Sequence, residues 1–203
     1  MVQTVPVMTG GFDSNFSYLA VCGQDALIVD PCGDTALIRR AFEALTGPYT
    51  PRYILLTHSH HDHVSGIDGV RSFFPAPVCI SAASVFPCDR SLKDGECLPF
   101  GNGFIECLAT PGHTADSMCF RDSGNTALFT GDTLFIGECG FCKAEPMFRS
   151  MCRLRALPDS LTVYPGHDYG NVPHDLLGHQ KAVNPYLNAP DPDTFRERLT
   201  HLT

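Results

Sequence analysis

Residues Thr57-His58-Ser59-His60-His61-Asp62-His63 place four of the chain's nine histidines and a carboxylate within one short run. Imidazole nitrogen and carboxylate oxygen are donors that suit zinc, iron or manganese. In an extended segment, residues two apart point the same way. His58 and His60 can therefore present imidazoles to one point, while Asp62 and His63, after the chain bends, face a second point close by. Burying four such groups beside an apolar strand is costly without a partner, and a metal removes that cost. Spacing, composition and placement together favour a metal site over a solvated run of histidines.

The same grammar, an apolar strand and then a turn carrying a potential ligand, recurs three times. His113 follows Thr110-Pro111-Gly112, Asp132 follows Phe129-Thr130-Gly131, and His167 follows Tyr164-Pro165-Gly166. Pro-Gly and Gly let the backbone turn sharply at a strand end. Taken singly, His113 reads equally as a cap, and Asp132 reads better as a turn residue. With His58, His60, Asp62 and His63 they make five histidines and two aspartates.

The elements that must carry these residues show in the apolar patterning. Phe16–Cys22 and Ala26–Asp30 read as a hairpin across Gly23-Gln24-Asp25. Thr35 to Leu45 reads as an amphipathic helix with Leu37, Ile38, Ala41, Phe42 and Leu45 on one face, stopped at Gly47-Pro48. Tyr53–Leu56 is the strand before the histidines. Residues 64–74 read as one short helix, Pro77–Ser81 as a strand, and Ala82–Leu92 as irregular or weakly helical. Phe104–Thr110, Ser117–Arg121 and Thr126–Thr130 are strands, the last two joined across Asp122-Ser123-Gly124-Asn125. Pro146–Ala156 is helical, Leu161–Tyr164 a strand, and helices are expected within His174–Tyr186 and Thr194–Leu202. This order suits two sheets covered by helices in a single domain over residues 1–203. No Gly-rich dinucleotide loop is present.

The 203 residues carry a net charge of −8, which argues against nucleic acid or an anionic membrane as partner. No apolar run is long enough to span a bilayer, and Met1–Met8 lacks the basic-then-apolar pattern of a secretory signal, so a cytoplasmic location is expected. Most of the ten cysteines sit in apolar contexts and read as small buried residues. Only Cys139-Gly140-Phe141-Cys142 has redox or metal spacing. A single such pair is weak evidence for zinc and is read as structural or substrate-lining.

In Thr57–His63, Thr110–Thr114, Phe129–Phe135, Cys139-Gly140 and Tyr164–Tyr169, from about Asn15 to Asn188, the chain resembles the metallo-β-lactamase-fold hydrolases. It is most similar to their glyoxalase II (hydroxyacylglutathione hydrolase) branch. The resemblance implies a four-layer αββα sandwich, an α/β arrangement with the site at one edge. It implies two divalent ions, zinc foremost with iron or manganese as alternatives. His58, His60 and His113 would hold the first, Asp62, His63 and His167 the second, and Asp132 would bridge. Water activated between them would attack a thioester carbonyl, with His58, His60, Asp62 and Asp132 as catalytic residues. The substrate would be a small-molecule thioester, with glutathione as the family's thiol, and Tyr169 matches a tyrosine that contacts it. Relatives usually carry a basic residue after Cys139-Gly140, where this chain has Phe141, and Lys143 stands two residues on as a substitute. Tyr169, Lys143, Cys139 and Phe141 are thus the expected substrate-binding residues. The alternatives are a persulfide dioxygenase using one iron on His58, His113 and Asp132, a lactonase, and a metal-binding scaffold without turnover.

Overall fold

The computed structural model describes residues 2–202. One sheet runs in spatial order β1 (Gln3–Gly10), β2 (Asn15–Cys22), β3 (Asp25–Val29), β4 (Thr50–Leu55), β5 (Val78–Ser81) and β6 (Arg90–Leu92). The other runs β12 (Asp175–Leu176), β11 (Thr162–Pro165), β10 (Ala127–Gly131), β9 (Met118–Asp122), β8 (Gly103–Ala109) and β7 (Cys97–Phe100). Between strands lie α1 (Thr35–Glu43), α2 (His61–Val64), α3 (Ile67–Arg71) and α4 (Ala144–Arg155), followed after β12 by α5 (Leu177–Val183) and α6 (Pro192–Leu199).

The period-2 alternation of strand side chains divides the apolar residues into three clusters. Tyr18, Ala20, Leu27, Val29 and Leu55 face Ile105, Cys107, Phe120 and Phe129 between the sheets. On the outer face of the first sheet, Leu19, Val21, Ile28 and Ile54 pack against Ile38 of α1 and Val70 of α3. On the outer face of the second, Leu108, Leu128 and Val163 meet Met147 and Met151 of α4 and Phe195 of α6. The result is the helix–sheet–sheet–helix order expected from the sequence.

The departures are local and have causes. The helix expected over 64–74 is two: α2 starts at His61, and the chain breaks at Ser65-Gly66, where the Gly66 N–H donates to Pro31 O at 2.9 Å. A side chain at Gly66 would run into Pro31 and Thr35. The segment read as irregular or weakly helical ends in the short strand β6, parallel to β5. The sequence reading assigns nothing to β1 or β7. β1 is an edge strand with Pro6 inside it, a residue that edges tolerate and that hides a strand pattern. The helix expected over 174–186 is preceded by β12 and begins at Leu177. Among the described residues no helix is long and apolar enough to cross a membrane.

The turn between β9 and β10 is held by one buried carboxylate. Asp122 accepts from the backbone N–H groups of Gly124, Thr126 and Ala127 and from Thr126 Oγ1, at 2.6–3.0 Å. Replacing Asp122 with Ala orphans these donors and is expected to lower unfolding free energy by roughly 2–3 kcal/mol. Urea denaturation checks this, and an unchanged midpoint would show that water satisfies the turn.

Candidate metal centre

Asp30 sits one residue beyond β3, beside the end of parallel β4, with its N–H on Leu55 O at 2.9 Å. Its φ is +48°, a left-handed conformation that Asp tolerates better than most side chains. Only 2% exposed, its carboxylate accepts from Thr57 N at 2.7 Å, from Thr57 Oγ1 at 2.6 Å, and from His63 Nδ1 at 3.0 Å. The hydroxyl proton of Thr57 is spent on Asp30, so Thr57 Oγ1 accepts from His58 Nδ1 at 3.1 Å. A buried anion thus sets the tautomers of two histidines at once.

The other donors stand where β8, β10 and β11 end. His113 Nδ1 donates to Phe141 O at 2.8 Å, and His167 Nδ1 donates to Asp13 O at 2.6 Å. Four imidazoles therefore turn an unprotonated Nε2 toward one place when neutral. His60 joins through Nδ1, 3.0 Å from His113 Nε2. His63 Nε2 lies 3.3 Å from His167 Nε2. Asp132 closes the set, with carboxylate oxygens 3.3 Å from His63, 3.3 Å from His167 and 3.6 Å from His113. Asp62 Oδ2 lies 3.5 and 3.4 Å from His63 and His167, and accepts from Asn15 Nδ2 at 3.1 Å.

Three overlapping groups have ligand atoms all within 4.8 Å of one another: His58-His60-His113, His58-His63-Asp132, and Asp62-His63-His167. The structure thus brings together all seven residues proposed as ligands. A cation fits the arrangement on two counts. Lone pairs that face each other at these distances repel unless positive charge lies between them. In addition, His58 Nε2 and Asp132 Oδ1 are buried with no hydrogen-bond partner, a costly state for a polar atom. The first group offers three imidazole nitrogens and the other two mix nitrogen with carboxylate oxygen, with no thiolate in any, sets that divalent zinc, iron or manganese accepts.

The electrostatics divide the site. Burial pushes the His58 pKa well below the ordinary histidine value, and burial followed by the His113 ring lowers that of His60. Burial also opposes charge on His63, but Asp132 and Asp30 outweigh it and hold its pKa well above that value. His167 is raised in the same way by Asp132 against its own burial. Burial would raise the Asp132 carboxyl, yet His63 and His167 hold it well below the usual carboxylate range.

The sheets are stitched together at this edge. Met118 N–H donates to Thr57 O at 2.8 Å and Phe16 N–H to Gly166 O at 2.8 Å across the sheets, while Gly166 N–H donates to Gly131 O at 2.9 Å within the second. Gly131 has φ +48°, and a Cβ there would enter the Thr57 side chain. No residue but glycine lets β10 approach β4 so closely and still turn Asp132 inward.

A cavity of about 540 Å³ opens beside the donors, lined by Asp62, His113, Asp132, Phe135, Cys139, Phe141, His167 and Tyr169. Tyr169 stacks on His167 at 4.9 Å between ring centroids, and its hydroxyl donates to Asp13. Cys139 is buried on the wall, and a hydrogen bond between the two thiols pushes Cys139 up and Cys142 down. Lys143 does not reach the cavity. It is exposed at the start of α4 and lines no part of the wall, and neither does Cys142. His61 points away and packs on Phe12 at 5.3 Å. Asp30, Asn15 and Asp13 escape the sequence reading. Asp30 shows the one available signal, an aspartate closing an apolar strand as Asp132 does.

The profile of the metallo-beta-lactamase superfamily matches residues 10–85 and 80–177. The chain belongs to this superfamily. It is 35% identical over 184 residues to a probable polyketide biosynthesis zinc-dependent hydrolase of Bacillus subtilis, covering 82% of this chain and 80% of the relative. It is 38% identical over 179 residues to the hydroxyacylglutathione hydrolase of Chromohalobacter salexigens, covering 83% of this chain and 67% of the relative. The structure is similar to a metallo-beta-lactamase from Staphylococcus aureus subsp. aureus COL, with a TM-score of 0.84 at 28% identity. That alignment covers 98% of this chain and 66% of the other protein.

Two outcomes are expected. Asp30→Ala frees the His63 ring and Thr57, and should weaken binding of added zinc about 10–100-fold, measured by competition with a chromophoric chelator; unchanged affinity would remove Asp30 from the site. In the metal-free protein, His63 and His167, whose pKa values are raised, should take up protons first as pH falls, whereas His58 and His60 stay neutral to lower pH. Histidine NMR across a titration of the metal-free protein would follow this, and protonation of all four together would contradict the division.

Proposed function

We propose that the chain hydrolyses a small-molecule thioester with two divalent ions, zinc foremost. His58, His60 and His113 would hold the first ion, Asp62, His63 and His167 the second, and Asp132 would contact both. One observation carries this reading: the inward lone pairs form two adjacent groups about Asp132, beside a cavity open to a substrate. A bound ion pair supplies Lewis acidity, lowering the pKa of water and polarising a carbonyl oxygen. The zinc dependence and hydrolase activity in the relatives' names support the same chemistry here.

The chain's own groups do the rest. Asp62 is 25% exposed on its side chain, with Oδ2 fixed by Asn15, so its carboxylate can orient the attacking water and accept its proton. Phe135 and Tyr169, packed edge to face at 5.0 Å, give the substrate an apolar wall that excludes bulk water from the carbonyl. Hydrogen bonds to Asp30, Asp13 and Phe141 fix the imidazoles before substrate arrives, so little reorganisation accompanies the reaction. Neither a serine nor a cysteine nucleophile is required. The ten cysteines all stand as free thiols, which fits a reducing, cytoplasmic setting.

Zinc-reconstituted protein should carry two ions per chain and cleave members of a thioester panel that includes S-lactoylglutathione and acyl-coenzyme A compounds. Asp132→Ala should lower kcat/KM by at least about 100-fold and reduce zinc occupancy. One iron per chain, with oxygen uptake on glutathione persulfide, would replace this reading by the dioxygenase. Full occupancy with no turnover of thioester, lactone or persulfide would leave only a scaffold.

A further inference from the structure

Apart from its metal-facing imidazoles, the cavity beside the donors bears carboxylates and no basic side chain. Asp13 and Glu138 stand on its wall in addition to Asp62 and Asp132, and among the described residues no Lys or Arg lines it. A second cavity of about 590 Å³ shares Glu138 and Tyr169 with the first and continues past Asn171 and Asp175. It too is lined by neither Lys nor Arg. Phe141, 68% exposed, presents an uncharged aromatic side chain on the wall of the first cavity.

Glutathione carries two carboxylates and one ammonium. Seated along this groove, its net negative charge would meet Asp13 and Glu138, and its carboxylates would find no lysine or arginine to pair with, an arrangement that opposes binding. A pantetheine arm differs in kind. It is uncharged and carries two amides and a hydroxyl. Its N–H groups can donate to the Asp13 and Glu138 carboxylates, the Asn171 amide can meet a carbonyl, and its methyl-bearing segment can lie on Phe141 and Tyr169.

We propose that the thiol half of the substrate is an uncharged, amide-bearing arm of pantetheine type, and that Phe141 and Glu138 set this preference against glutathione. The proposal rests on the thioesterase reading above for its catalytic consequence, but not for its binding consequence. Coenzyme A and a carrier protein both supply such an arm, and the arm offers the same chemistry to the groove from either source.

The test uses zinc-loaded full-length protein and two inert probes, S-ethyl pantetheine and S-ethyl glutathione, titrated by calorimetry. The pantetheine thioether should bind at least about tenfold more tightly. In Phe141→Arg/Glu138→Lys the ratio should fall by about tenfold or reverse, with zinc content and circular dichroism unchanged. If the double variant fails to fold, Phe141→Arg alone, a change at an exposed side chain, should move the ratio in the same direction. Values of kcat/KM for the acetyl thioesters of pantetheine, coenzyme A and a carrier protein, against S-lactoylglutathione, then identify the source, and preference for either pantetheine source over glutathione supports the proposal. Equal or tighter binding of the glutathione probe, no measurable binding of either probe, or an unchanged ratio in the variants overturns it. Selective binding of the pantetheine probe with no thioester cleaved would sink the hydrolase reading and leave this one standing.

Discussion

A buried anion governs the centre. The Asp30 carboxylate has no lysine or arginine among its hydrogen-bond partners, and it is shielded from water. Such a group costs several kcal/mol unless its lone pairs are saturated. The backbone N–H of Thr57, the hydroxyl of Thr57 and the ring N–H of His63 saturate them. Because Thr57 passes the demand on to His58, one carboxylate sets the proton positions of a histidine in each half of the site. The left-handed backbone at Asp30, worth roughly 1–3 kcal/mol of strain for a residue other than glycine, persists because both arms of this network require it.

Convergence of the donors follows from how the two sheets meet. Each sheet has its own helix-covered outer face, so the sheets could slide or splay without emptying either outer cluster. The hydrogen bonds from Phe16 to Gly166 and from Met118 to Thr57 remove that freedom at one edge. The ends of β4, β8, β10 and β11 are thereby held in one place. Substitutions that pry Gly131 from Thr57 therefore act on the site without touching a donor.

Much of this was legible in the chain. Alternation located the strands around the site, and the repeated strand–turn–donor pattern picked out His113, Asp132 and His167, which the structure gathers with the His58–His63 run. The misses have physical reasons. β1 was hidden because Pro6 and exposed positions mask its alternation, and an edge strand needs only one buried face. The helix after the histidines breaks at Gly66 to serve a contact with Pro31, distant in sequence. Asp30 reads from the sequence as a strand end because its role comes from the neighbouring parallel strand, a pairing that local patterning does not specify. Lys143 has the charge expected of a substrate contact, but it is not among the residues lining the cavity.

The cage and the substrate wall are coupled through backbone more than through side chains, and this separates their freedoms to vary. Gly140 packs so closely that a Cβ there would collide with the Asp132 carbonyl and crowd the His113 ring. Phe141 serves the cage through its carbonyl oxygen alone, which holds His113, while its side chain stands largely in solvent. A residue used for its carbonyl can change its side chain without disturbing the imidazole it orients. The position after Cys139-Gly140 can thus change its side chain over an unchanged set of donors, so the orientation of His113 and the character of the cavity wall vary independently.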